Sequence, residues 1–146
     1  MGETSSKPSV RENDQPAESK PAHKVLIVED TVELAEVIQV TLERMGLCVF
    51  HETHGNKALD VFHTEHPDLV LLDIALPDTT GWKVLETIRE QQRGGQDPIV
   101  LVITAYGDPA NRLMGKLQGI AGYLIKPLLP DEVERAVADV LKLPRT

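Results

Sequence analysis

Polar residues stand directly after four short apolar runs, and their types could do chemistry together. Val25-Leu26-Ile27-Val28 ends in Glu29-Asp30, and Leu69-Val70-Leu71-Leu72 ends in Asp73. Ile99 to Ile103 closes on Thr104, and Gly122-Tyr123-Leu124-Ile125 closes on Lys126. Three carboxylates beside one lysine leave an excess of negative charge, which raises proton affinity and costs stability. A hard divalent cation resolves that conflict, because Mg²⁺ favours one or two carboxylates together with waters and phosphate oxygens. Such a cluster could receive a phosphoryl group. Asp73 would attack phosphorus, Lys126 would pair with a phosphoryl oxygen, and the Thr104 hydroxyl would donate to another. Any one of these residues alone reads as the ordinary polar end of a strand or as a helix cap. The case rests on their convergence at one edge of one sheet.

That convergence requires elements that bring the four runs side by side. An unbroken apolar run without alternation reads as a strand buried on both faces of a parallel sheet covered by helices. After the first run, Leu34, Val37, Ile38, Thr41, Leu42 and Met45 fall at helix-face spacing, with Gly46 as the stop. Leu47 to Phe50 is a short strand. Gly55 opens a second helix with Ala58, Leu59 and Phe62 on one face, ending before Pro67. Pro77 and Gly81 force a loop after Asp73. Trp82, Leu85 and Ile88 mark a third helix, Trp82 as first-turn packing, and Gly94-Gly95 end it. Asp108-Pro109 opens a fourth helix carrying Leu113, Met114 and Leu117, and Gly119 stops it. Pro130-Asp131-Glu132 opens a fifth, with the stripe Val133, Ala136, Val137, Val140 and Leu141; its first-turn acids suit the helix dipole.

Strand and helix alternate five times, which implies an α/β layer fold with right-handed crossovers. The expected architecture is a doubly wound, five-stranded parallel sheet of order 2-1-3-4-5, the flavodoxin-like arrangement. In that order the topological switch point lies between the strands ending in Glu29-Asp30 and in Asp73. Residues 1–22 are almost devoid of apolar side chains and read as a disordered tail, leaving 23–146 as one domain.

Composition narrows the function classes. A formal net charge of -8 argues against direct nucleic-acid binding or attachment to an anionic membrane. No apolar run approaches the ~20 residues of a membrane span. The single cysteine, Cys48, excludes an internal disulfide and suits a reducing cytoplasm. Within Leu47-Cys48-Val49-Phe50 it reads as a small buried hydrophobe. His51, His54, His63 and His66 have no paired ligand spacing and read as solvent-facing.

Taken together, Val25 to Asp30, Leu71 to Asp78 with Gly81, Ile103-Thr104-Ala105, and Gly122 to Pro127 resemble the response-regulator receiver domains of two-component signalling. The resemblance covers residues 24 to about 142. It implies that Asp73 is the phosphoacceptor, charged by a histidine kinase or a histidine phosphotransfer protein. Asp30 and Asp73 would ligate Mg²⁺ directly, Glu29 through water, and the Ala75 carbonyl would complete the protein ligands. Thr104 and Tyr123 match the family's switch pair, which reshapes the face made by helix four, strand five and helix five for a downstream partner. Arg112 and Lys116 fall on that face. The Lys126-Pro127 bond is typically cis in the family.

The departures are informative. Ala121 and Gly122 stand where the winged-helix branch of the family carries two acids, so the charged dimer face of that branch is not expected. The chain reads as a single-domain regulator acting through partners, or as the receiver piece of a larger regulator or hybrid kinase. A Mg²⁺-dependent phosphatase with an aspartyl nucleophile would need a second Asp two residues on, where Ala75 stands; the chain is not expected to be an enzyme. A flavodoxin-like cofactor site would want a Ser/Thr/Gly-rich loop where Glu29-Asp30-Thr31-Val32-Glu33 stands. Ala75 and Tyr106 also lack the carboxylate or amide that would position an attacking water, so self-dephosphorylation should be slow. Replacing Ala75 by Asn and Tyr106 by Glu should shorten the lifetime of radiolabelled Asp73 phosphate. An unchanged decay would refute that assignment.

Overall fold

The computed structural model describes residues 22–92, 97–105 and 109–144. The tail over 1–21, the Gly94-Gly95 stop, Tyr106 and the Asp108 cap lie outside them. Along the chain run β1 (Lys24–Val28), α1 (Val32–Arg44), β2 (Cys48–Glu52), α2 (Gly55–Glu65), β3 (Leu69–Asp73), α3 (Gly81–Gln91), β4 (Ile99–Thr104), α4 (Pro109–Gln118), β5 (Gly122–Ile125) and α5 (Pro130–Leu141). The strands form one parallel sheet of order β2-β1-β3-β4-β5, as expected.

The unbroken apolar runs are explained by two cores, one on each face of the sheet. Val25, Ile27, Leu69, Leu71, Leu101 and Ile103 face α1 and α5, where Ala35, Ile38, Leu42, Val133 and Val137 meet them. The alternate residues Leu26, Val28, Val70, Leu72, Val100 and Val102 face α2 and α3, against Ala58, Phe62, Val84, Leu85 and Ile88. Successive strand residues point to opposite faces, so a strand covered on both sides must be apolar throughout. Register then sets the functional edge. Val28 pairs with Leu72, Leu72 with Val102, and Thr104 with Ile125. The polar residues that follow therefore emerge along one rim.

Helix ends follow local chemistry. Gly46 and Gly119 take the left-handed conformation after α1 and α4 (φ 86° and 70°). Thr80 caps α3, its hydroxyl oxygen accepting from the Lys83 N–H at 3.2 Å. Leu129, although no capping side chain, has its N–H bonded to Glu132 Oε1 at 2.9 Å, which fixes the start of α5.

Two expectations are corrected. Cys48 is exposed, because it begins the edge strand β2 rather than sitting in a covered one. Val37 is exposed as well. The buried stripe of α1 is Ala35, Ile38 and Leu42, and at about 100° per residue Val37 falls outside it. Helix α4 carries its large apolar residues outward, with Leu113 58% and Leu117 74% exposed and Gly115 as its buried residue.

The loop after β3 is tied down at both ends. The Gly81 N–H donates to the Ile74 carbonyl at 2.7 Å. A Cβ on Gly81 would lie 2.3 Å from the Asp73 carbonyl oxygen, so only glycine lets α3 start against that backbone. At the other end Asp78 reaches the first turn of α2, accepting from the Gly55 and Asn56 N–H groups at 2.8 and 3.0 Å. A Cβ on Gly55 would come 2.4 Å from Thr79 Cγ2. The N–H groups of Asn56 and Gly55 hold the Asp78 carboxyl below its ordinary pKa of 3.8. A depressed folded-state pKa means stability present above about pH 3.8 and lost as pH falls through the folded value. Asp78→Asn should therefore lower the urea midpoint near neutral pH, with the gap from wild type closing in acid. A gap of constant size would contradict the assignment.

Candidate functional site

Glu29, Asp73, Thr104 and Lys126 meet at the carboxyl rim between β1, β3, β4 and β5. Each arrives by the backbone ladder. Glu29 follows Val28 and its N–H donates to the Glu52 carbonyl at 3.1 Å. Asp73 ends β3, Thr104 ends β4, and the Lys126 N–H continues the ladder to the Thr104 carbonyl at 2.8 Å. Glu29 and Thr104 are fully buried and Asp73 is 2% exposed. The Lys126–Pro127 bond is cis.

One ammonium organises these groups. Lys126 Nζ lies 2.8 Å from Asp73 Oδ2, and 2.9 and 3.1 Å from the two carboxylate oxygens of Glu29. Asp73 Oδ1 accepts the Ala75 N–H at 3.1 Å, and Glu29 Oε2 accepts the Thr31 N–H at 3.0 Å. Glu29 Oε1, although close to Nζ, has no directed hydrogen bond among the described residues. Asp30 stands beside them, exposed. It does not cap α1, whose N-cap is Thr31.

Electrostatics reflect the crowding. Burial pushes the Glu29 carboxyl up from its ordinary value, against the pull of Lys126 and the Thr31 N–H, and the nearby Asp73 charge adds to the rise. Burial opposes the Lys126 ammonium too, but its bonds to Asp73 and Glu29 outweigh that and hold its pKa above 10.5. Lys126 thus stays charged well beyond neutral pH, and its raised pKa contributes stability that is lost only in strong alkali. The raised Glu29 pKa also means stability lost as pH rises, because burial disfavours its ionised form, and a further cation would relieve that cost.

The donor set suits a hard divalent ion. Glu29, Asp30 and Asp73 each offer a carboxylate oxygen, and these oxygens lie within 4.8 Å of one another. A buried carboxylate oxygen without a directed partner, in a trio of acids of which one ammonium pairs with two, is what Mg²⁺ would satisfy. Ala75, two residues beyond Asp73, is exposed at the same rim.

Tyr123 is not in this cluster. It sits on β5, half-buried, with its hydroxyl donating to the Asn111 carbonyl and the Arg112 guanidinium carbon 5.6 Å from its ring centroid. Trp82, expected only as packing, also bonds Asn111, its Nε1–H donating to Oδ1 at 3.1 Å. His51, expected in solvent, is half-buried and its Nε2–H donates to the Glu29 carbonyl at 2.8 Å. Of the residues in these links, Tyr123 was singled out in sequence by its place three residues before Lys126, whereas nothing marked Asn111.

With the fold and rim in view, relatives can be compared. The model of the response regulator receiver domain matches residues 25–138. The chain belongs to this family. A probable transcriptional regulator, ycf27, of Guillardia theta is 36% identical over 119 residues, 82% of this chain and 45% of that protein. The alkaline phosphatase synthesis transcriptional regulatory protein PhoP of Bacillus subtilis is 34% identical, over 82% and 48%. The chain thus spans about half the length of the curated relatives it matches. Among solved structures, the non-phosphorylated HemR receiver domain of Leptospira biflexa superposes with TM-score 0.76 at 29% identity, covering 85% of this receiver and 98% of that chain. A CheY-like receiver of Methanospirillum hungatei, at 24% identity, shares the fold with TM-score 0.76 over 84% and 95%. This chain is therefore a receiver domain of two-component signalling. Among its described residues, no helix is long and apolar enough to cross a membrane.

Proposed function

We propose that Asp73 accepts a phosphoryl group from a histidine kinase or a histidine phosphotransfer protein, and that the α4–β5–α5 face then controls a protein partner. The observation that carries this reading is the buried Asp73 carboxylate held by the Lys126 ammonium within an acidic trio. A carboxylate oxygen of Asp73 attacks phosphorus, the phosphorus–nitrogen bond of the donor breaks, and its electron pair leaves with the imidazole. Lys126 exchanges part of its hold on Asp73 for a phosphoryl oxygen, and the Thr104 hydroxyl donates to another. Asp30, Asp73 and the Ala75 carbonyl would hold Mg²⁺, with Glu29 acting through water. The bound ion would screen the charge of the incoming phosphoryl oxygens.

Thr104 and Tyr123 form the switch in this reading. Thr104 moves toward the new phosphoryl group, and Tyr123 turns inward from the Asn111 carbonyl. Ala75 supplies no general acid two residues after Asp73, which supports a signalling module over a turnover phosphatase. The acidic charge balance supports a protein rather than a nucleic-acid partner, and a reducing cytoplasm fits the free thiol of Cys48.

Incubation with Mg²⁺ and acetyl phosphate should add one phosphate, stable in acid and labile in base, and Asp73→Asn should abolish it. An unlabelled wild type, or equal labelling of the variant, would overturn the reading.

A further inference from the structure

The first turn of α3 is in tight contact with the backbone of Asp73, because Gly81 leaves no room between them. The next residue, Trp82, reaches across to α4. Its indole Nε1–H donates to Asn111 Oδ1 at 3.1 Å, and its ring meets Tyr123 edge to face, 6.5 Å between centroids at 70°. The backbone carbonyl of the same Asn111 accepts the Tyr123 hydroxyl. One residue of α4 therefore holds both aromatics. Gly115 supplies the slot that makes this possible, since a Cβ there would lie 2.8 Å from Tyr123 Cε2. Beyond the ring, a cavity of about 380 Å³ lined by Arg112, Gly115, Lys116, Ile120 and Gly122 leaves the Tyr123 side unfilled.

We propose that the Trp82–Asn111 hydrogen bond is a latch that holds the first turn of α4 to α3 and so keeps Tyr123 on the Asn111 carbonyl. The proposal rests on the reading of Asp73 as phosphoacceptor. The arrangement with Tyr123 on Asn111 is also the one in which Lys126 bonds Asp73 directly. A phosphoryl group that draws Lys126 and Thr104 toward itself favours the alternative arrangement. The latch, which joins two residues 29 apart in the chain, opposes it. Trp82 and Asn111 are positioning residues, because neither belongs to the acidic cluster. Their effect is on the balance of two arrangements, and a ligand that prefers one of them reports that balance through its affinity.

The probe is beryllofluoride with Mg²⁺, a stand-in for the phosphoryl group, with binding followed by calorimetry on the whole chain. A single neutral hydrogen bond sets a scale of about two- to tenfold. Asn111→Ala and Trp82→Phe should each tighten binding by about that factor. Asn111→Ala keeps the backbone carbonyl that Tyr123 uses. The double variant should bind no tighter than either single one, because both remove the same bond. Asn111→Asp, which keeps an acceptor for the indole, should remain near wild type. Additive effects in the double variant, or unchanged affinity in variants whose urea midpoints show them folded, would overturn the latch alone. A wild type that fails to bind the probe would overturn the phosphoacceptor reading and the latch with it.

Discussion

The ammonium of Lys126, shared between Asp73 and Glu29, is the interaction on which the rim depends. Two carboxylates with 2% and 0% exposure would be untenable alone, since each buried ion costs several kcal/mol even after relaxation. The fold supplies the driving force. Leu69, Val70, Leu71 and Leu72 are fully buried, and each contributes about 1.5–3 kcal/mol by leaving water. That outweighs the cost of dragging the following acid inward, provided a cation meets it. Lys126 is that cation, delivered by β5, two strands from β3 both in sequence order and in the sheet. The pair is therefore weak evidence of stability and better evidence of a site, because breaking either partner leaves an uncompensated buried charge.

The same compactness transmits events at Asp73 outward. Gly81 brings α3 against the Asp73 carbonyl, and Asp78 fastens the loop to α2. A loop fixed at both ends cannot absorb a displacement of Asp73 by flexing, so the movement passes to the first turn of α3. There Trp82 links it to Asn111 and Tyr123. Helix α4 is the element suited to respond. With Gly115 as its buried residue and Leu113 and Leu117 outward, it holds less apolar surface against the sheet than the other helices do, and elements with few buried contacts are those that move.

Much of this was legible from the amino-acid order. The strands and the sheet order followed from unbroken apolar runs, because double burial leaves no room for alternation. The four polar groups were legible because register puts strand ends on one rim. Exposure was harder to read. Cys48 has the apolar neighbours of a core residue, yet β2 is an edge strand, and only the sheet order reveals that. Val37 fits a helical period that is one position out of phase with Ala35, Ile38 and Leu42. The bonds of Asn111 to Trp82 and Tyr123 join α3, α4 and β5, and no local spacing encodes them. Asp78 could have been suspected as a loop acid after a proline, but its partners, the N–H groups of α2, lie 22 and 23 residues earlier.

The most direct test of the central claim is a crystal structure with Mg²⁺ and beryllofluoride. The beryllium should lie on the Asp73 carboxylate, with Lys126 and Thr104 bonded to its fluorines. The metal should be ligated by Asp30, Asp73 and the Ala75 carbonyl. Beryllofluoride bound away from Asp73, or a metal ion that leaves Asp30 and Asp73 uncoordinated, would contradict it.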